Sequence, residues 1–199
     1  DMDRRRGSKM RITIGMSGAS GLIYGIRLLE ILKTLPEVET HLILTPSAKM
    51  NIAIETQWEL SAVQALADHV HPINDMAASI ASGSFRTDGM IVAPCSMKSL
   101  SAIVHSYADN LLIRAADVVL KEKRRLVLMP RESPLHAGHC ELMLKACQLG
   151  AIIAPPMPAL YNNPQTIDDL INHSVGRVLD LFDLDPGIVK RWEGIRKAH

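Results

Sequence analysis

Aromatic side chains are scarce in this chain: two Phe, two Trp and three Tyr among 199 residues. An aromatic that falls in a loop is therefore a candidate for ligand contact. Cysteine is equally sparse. Cys95, Cys140 and Cys147 are odd in number and show no CxxC spacing; this argues against a disulfide framework or a zinc site and fits a reducing compartment. Neither sign of charge dominates, the formal net charge being +1, so there is no electrostatic case for a nucleic-acid partner. No apolar run is long enough to span a bilayer, which excludes a membrane partner of that kind. Repeats, low-complexity tracts and an inter-domain linker are also missing. With 47% hydrophobic and 22% charged residues, the composition is that of one globular domain, large enough to bury a core.

What is present is a regular alternation of apolar runs and amphipathic segments. Residues 1–9 (DMDRRRGSK) are charged and aperiodic, and read as a disordered leader ahead of a single domain at 10–199. Arg4-Arg5-Arg6 suits a flexible tail or the remnant of an organelle-targeting segment, although Asp1 and Asp3 count against a complete one. Arg11 to Met16 predicts a strand, followed by Ser17-Gly18-Ala19-Ser20-Gly21 and a helix from Leu22 to Lys33. Strand, glycine-rich turn and helix together aim backbone N–H groups at a phosphate, but tight turns use glycine without any ligand. Val38 to Leu44 predicts the second strand, ending at Thr45-Pro46-Ser47, and Glu55 closes the helix after it. An isolated glutamate at a helix end is ordinarily just solvated. Ser61 to Asp68 predicts a short helix, and His69-Val70-His71 a strand or turn. With no carboxylate or cysteine at ligand spacing, those histidines are not read as a metal site.

The stretch from Met90 to Glu132 organises the rest. Met90-Ile91-Val92-Ala93 reads as a buried parallel strand that runs into Cys95-Ser96-Met97-Lys98-Ser99 and a helix. The segment Asn110 to Lys123 predicts a second helix, with Arg114 and Lys121 two turns apart on one face. Leu126 to Met129 predicts another strand, ending at Pro130-Arg131-Glu132. Hydroxyls, cations and a carboxylate are thus expected at the carboxyl ends of strands, where open parallel sheets bind ligands, and the charges suit a phosphorylated one. Further on, His139 to Gln148 predicts a helix and Ala151 to Ala154 a strand. The proline-rich run 155–164 (PPMPALYNNP) forms a rigid loop displaying Tyr161. Thr166 caps a last helix whose buried face runs from Leu170 to Phe182. The alternation argues a three-layer α/β sandwich, Rossmann-like or flavodoxin-like, with a mostly parallel sheet.

These motifs taken together, SGASG, IET at Glu55, SGSFRTDGMIVAPCSMKSLSAI, RAADVVLKE, PRE and PPMPALYNNP, resemble the flavin prenyltransferases of the UbiX/Pad type, formerly called phenylacrylic acid decarboxylases. The RWEGI ending looks most like the fungal branch, and with the leader it leans the expected location toward the mitochondrion, with the cytoplasm as alternative. The resemblance implies a metal-independent enzyme that joins a dimethylallyl group from dimethylallyl phosphate to reduced FMN. The product, prenylated FMN, serves a partner decarboxylase. It also implies a dodecamer with each flavin at a subunit junction. By position, Gly18, Ala19, Ser20, Thr45, Ser96, Met97, Lys98, Ser99 and Arg131 match the FMN-binding segments. Tyr161 and Arg177, assisted by Arg114 and Lys121, match the donor's phosphate site. Glu55 and Glu132 match an acidic pair that handles protons, and Trp192 an aromatic near the prenyl group.

The residue types suit those roles. A departing phosphate needs cations where charge develops, an allylic cation needs an electron-rich wall without a nucleophile, and ring closure needs a carboxylate to take a proton. Cys95 reads as a packed small hydrophobe, and His136 and His139 as surface or capping residues. Singly, Arg114 could equally pair with Asp117, and Arg177 with Asp180. Two other readings stay open. An FMN-dependent cysteine-type decarboxylase would carry a PASANT-like loop where this chain has PCSMKS. A non-catalytic FMN carrier would have no use for an allyl-phosphate site.

Overall fold

The computed structural model describes residues 7–192 and 194. The arginines of the leader, Glu193 and the final residues 195–199 lie outside the described residues. The chain divides into two compact units, Asp1–Pro155 and Pro156–His199.

The first unit holds one six-stranded parallel sheet in the order β3-β2-β1-β4-β5-β6. Its strands are β1 (Met10–Met16), β2 (Val38–Leu44), β3 (His69–His71), β4 (Gly89–Cys95), β5 (Arg125–Pro130) and β6 (Ile152–Ile153). Its helices are α1 (Leu22–Lys33), α2 (Pro46–Glu55), α3 (Leu60–Ala65), α4 (Met97–Val104), α5 (Leu111–Lys121) and α6 (Ala137–Gln148). Without the three-residue edge strand β3, the remaining five follow the 2-1-3-4-5 order of flavodoxin-like sheets.

Neighbouring residues of β1 show why the sheet is covered on both faces. A Cβ on Gly15 would lie 3.0 Å from Leu112 of α5, whereas Met16 reaches the other way and packs beneath Gly25 of α1. This is the two-residue alternation of a pleated strand feeding two helical layers. Ile12, Ile14, Ile91 and Val127 are fully buried. Met90, Val92, Leu126 and Leu128 join Leu100, Ile103, Leu112 and Val119 in one continuous cluster beneath α4 and α5.

The predicted elements recur with small shifts. The short helix expected at Ser61–Asp68 is Leu60–Ala65, and Asp68 instead accepts hydrogen bonds from the Thr40 backbone (2.8 Å) and hydroxyl (3.4 Å). The last strand is only two residues long, although the Ala154 amide still donates to Leu128 at 2.8 Å.

The second unit comprises an irregular loop, helix α7 (Ile167–Asp180) and a tail. Thr166 accepts from the Asp169 amide and the Asp169 carboxylate accepts from the Thr166 amide, both at 3.1 Å, a complete capping box. The tail packs on α7 at Gly176, where a Cβ would fall 2.1 Å from Val189. Phe182 is buried, but it lies beyond the end of α7.

Candidate functional site

In this strand order the chain leaves β1 outward to β2 and β3, then crosses back to β4. The reversal opens a crevice between the carboxyl ends of β1 and β4. Four of the sequence-predicted segments reach that edge: Gly18-Ala19-Ser20 after β1, Thr45 after β2, Ser96-Met97-Lys98-Ser99 after β4, and Arg131-Glu132 after β5. Ser17, which the motif reading passed over, ties two of them together. Its hydroxyl is fully buried, donates to the Pro94 carbonyl at 3.0 Å and accepts from the Ser96 amide at 2.7 Å. Gly18 permits the first loop to lie against the next, since a Cβ there would sit 2.5 Å from Ser47 Cβ.

The hydroxyls are ordered by helix capping. Thr45 accepts from the Ala48 amide at 3.1 Å, which leaves its own proton available to a ligand. Ser96 accepts from the Ser99 amide and donates to the Ser99 hydroxyl, both at 3.1 Å, so the relay ends in the buried Ser99 O–H. Lys98, Arg131 and Glu132 are exposed. Beside Lys98 and Ser99 a cleft of about 510 Å³ runs past Tyr107 and Asn110. Tyr24, also missed by motif reading, packs its ring over Gly21 in the first turn of α1. Burial raises its phenol above the ordinary value, and the Arg131 guanidinium partly opposes that shift. An aromatic three residues after a glycine turn was the available signal.

Glu55 is not merely solvated. Its Oε2 accepts from the Gly21 amide at 3.0 Å and the Leu22 amide at 3.4 Å. The amino end of α1, where the sequence suggested a phosphate, thus holds the chain's own carboxylate.

Lys121 departs from expectation. It closes α5, and β5 begins four residues later at Arg125. A helix that feeds a parallel strand ends near that strand's amino end, the edge opposite Ser96 and Arg131. Lys121 there pairs with Glu122 at 2.7 Å. Arg114 donates to the Ala81 carbonyl at 3.2 Å and pairs with Asp117 at 3.4 Å. The spacing placed both cations on one face of α5, but a face does not say which edge of the sheet a residue meets.

The second unit gathers its own candidates. Tyr161 Oη lies 3.2 Å from His173 Nε2, and its ring meets the Trp192 indole edge-on at 6.0 Å between centroids. Arg177 pairs with Asp180 at 2.8 Å, and Asp180 is also gripped by Arg191 through both oxygens, at 2.8 and 2.7 Å. These guanidinium contacts hold the Asp180 carboxyl below its ordinary range.

Two features lie away from this chemistry. A wide cleft, about 1400 Å³, opens at the amino ends of the strands, between Lys9, Arg11, Asp88 and Arg124. Next to it, pairing of β2 with β3 sets His41 opposite His69 and brings Glu39 to both, at 2.8 and 3.7 Å. The histidines therefore do have a carboxylate at hand, which corrects the sequence reading. Glu39 is already ion-paired to Arg11 at 3.2 Å, and His41 Nδ1 is hydrogen-bonded to His71 at 2.9 Å, so the cluster satisfies itself. Cys95 is fully buried and its thiol is pushed up to about 12, the state of an inert core residue. His136 and His139 cap α6 reciprocally.

A family model described as Flavoprotein matches residues 2–176. The flavin prenyltransferase UbiX of Thauera aromatica is 60% identical over 185 residues, covering 93% of this chain and 95% of its own. The chain belongs to the UbiX flavin prenyltransferase family. Two solved structures are similar throughout. A dodecameric FMN-dependent UbiX-like decarboxylase from Escherichia coli O157:H7 has a TM-score of 0.92 at 53% identity, with 93% of this chain and 100% of that one covered. AnUbiX (PadA1), in complex with FMN and dimethylallyl pyrophosphate, also has a TM-score of 0.92 at 53% identity, with 94% and 100% covered. The Thauera and Escherichia relatives are bacterial and so come from organisms without mitochondria. The mitochondrial expectation drawn from the leader and the RWEGI ending is corrected accordingly.

Proposed function

We propose that this chain is a flavin prenyltransferase that joins the dimethylallyl group of dimethylallyl phosphate to N5 and C6 of reduced FMN. The observation that carries this reading is the convergence of the four loops after β1, β2, β4 and β5 on the crevice where the strand order reverses. Their donor set fits a flavin nucleotide: capped hydroxyls with protons to give, a loop kept free of a Cβ at Gly18, and the Arg131 cation. Gly18, Ala19, Ser20, Thr45, Ser96, Met97, Lys98, Ser99 and Arg131 hold the flavin. Tyr161 and Arg177 bind the phosphate of the donor and steady it as the C–O bond breaks. Trp192 and Tyr161 offer π faces to the allylic cation. Glu132, with Glu55, accepts the proton lost from C6 as the new ring closes.

Arg114 and Lys121 we assign to the site of a neighbouring copy, because Lys121 lies at the opposite sheet edge from its own chain's loops. A homododecamer with flavins at subunit junctions would bring the two edges together, and the exposed Met50 and Ile54, four residues apart on α2, suit such a contact. Residues 10–199 act as one flavin-binding domain in this reading; the family match, which runs from the first unit into the second as far as residue 176, supports it. The product serves a decarboxylase that uses prenylated FMN. The finer likeness to a fungal branch rests on one terminal motif and the leader, and the 60% identity to a bacterial relative outweighs it.

The test is anaerobic incubation of the protein with reduced FMN and either dimethylallyl phosphate or the pyrophosphate, followed by mass spectrometry of the extracted flavin. A gain of one C5H8 unit, abolished in Glu132→Gln, is the expected result. Tightly bound but unmodified FMN with both donors would identify a carrier instead.

A further inference from the structure

His173 of α7 bonds to two residues of the loop that carries Tyr161. His173 Nδ1 lies 3.0 Å from Asn162 Nδ2, and His173 Nε2 lies 3.2 Å from Tyr161 Oη. An amide nitrogen can only donate, so Nδ1 must be the accepting nitrogen, and in the neutral ring the proton then sits on Nε2. That nitrogen in turn donates to the tyrosine oxygen. A tyrosine hydroxyl that accepts here keeps its own proton to give elsewhere.

The surroundings hold this chain of bonds in place. Lys190 Nζ reaches the Asn162 carbonyl at 3.5 Å, and Gln165 Nε2 donates to the Asn163 carbonyl at 3.0 Å. The Gln165 amide is held by Asp169 at 2.8 Å, which fixes the loop to the first turn of α7. Arg177 is one helical turn beyond His173, so the helix presents both on the same side. Burial and the Arg177 charge lower the imidazole's proton affinity, in keeping with the neutral ring that the geometry requires.

We propose that His173 is a positioning residue for the allyl donor: relayed from Asn162, it donates from Nε2 to Tyr161 and leaves the Tyr161 proton directed to a phosphate oxygen. This rests on the reading in which Tyr161 binds that phosphate, and it adds a residue that no motif assigned. It also sets what a replacement side chain must do. A glutamine can supply an N–H donor to Tyr161, whereas an alanine leaves the hydroxyl free to rotate.

The experiment measures the rate of prenylated-flavin formation against dimethylallyl phosphate concentration for H173A, H173Q, Y161F and the H173A/Y161F double variant. Thermal melting and FMN affinity are followed in each. His173→Ala is expected to lower kcat/KM about three- to tenfold, chiefly through KM, the scale of one neutral hydrogen bond. His173→Gln should recover most of the loss. In the Tyr161→Phe background, His173→Ala should have almost no further effect, because the partner it orients is already gone. An equal loss on both backgrounds, or no loss from His173→Ala alone, would overturn the positioning role. If Y161F alone leaves the donor's KM unchanged, the phosphate-site reading falls and this proposal with it.

Discussion

At the scale of single residues, the site depends on groups that never need to touch a ligand. Ser17 fastens the ends of β1 and β4 through two hydrogen bonds made by one buried hydroxyl. Ser17→Ala takes the partner from the Ser96 amide and leaves the Pro94 carbonyl with the residue 17 backbone N–H alone, at 3.2 Å. A loss of about 1–3 kcal/mol of stability, with weaker FMN binding, is expected, read by denaturant titration and flavin fluorescence. Gly25 presents the opposite case. Alanine would gain about 1 kcal/mol in helix propensity, but its methyl would lie 2.3 Å from the Ala93 carbonyl oxygen and 2.9 Å from Met16. A strand backbone cannot yield as a side-chain tip can, so overpacking wins, at about 1–3 kcal/mol. Gly25→Ala should melt several degrees below the parent. Glycines and serines around strand ends were visible in the sequence as loop punctuation. That one of them was a staple and another a close approach was not, since both facts depend on which strand lies beside β1.

At the scale of elements, the pairing of β2 with β3 makes a pH-sensitive edge. Burial holds the His41 imidazole below its ordinary value of 6.5, with the Glu39 hydrogen bond partly opposing, and His71 is shifted the same way. Arg11, His69 and Asp75 also act on this group of side chains. In the unfolded chain these histidines take up protons near pH 6.5, and in the folded chain only at lower pH. The stability they contribute is therefore complete above pH 6.5 and declines as pH falls below it. The melting temperature should drop between pH 7 and pH 5, and His41→Gln should flatten that slope. The strands and helices themselves were legible because their periods are long and cleanly punctuated. The cluster was not: Glu39 and His41 meet His69 only through a cross-strand register that no single segment encodes. Lys121 escaped for a related reason. Its spacing from Arg114 gave a helix face, while its place in the proposed reaction depends on the direction in which α5 runs.

At the scale of the whole molecule, the two edges of the sheet carry different parts of the proposed machinery. Glu132 stands at the carboxyl edge and Lys121 at the amino edge. If neighbouring copies complete each other's sites, Lys121→Ala and Glu132→Gln are each inactive as pure oligomers. Dissociated, mixed and reassembled, the pair should regain prenylation, because some junctions receive both intact residues. Absence of any recovery in a verified mixed oligomer would place Lys121 and Glu132 in the same site of one chain. Glu55, meanwhile, bears on selectivity. Seated on the first amides of α1, it makes that helix end a guarded seat. Inorganic phosphate or sulfate arriving there meets an incumbent of its own sign, tethered and therefore always present at high local concentration. Charge alone does not displace it. On the proposed reading, admission goes to a visitor with more to offer than its anion, one whose ring and side chain are gripped by the other loops.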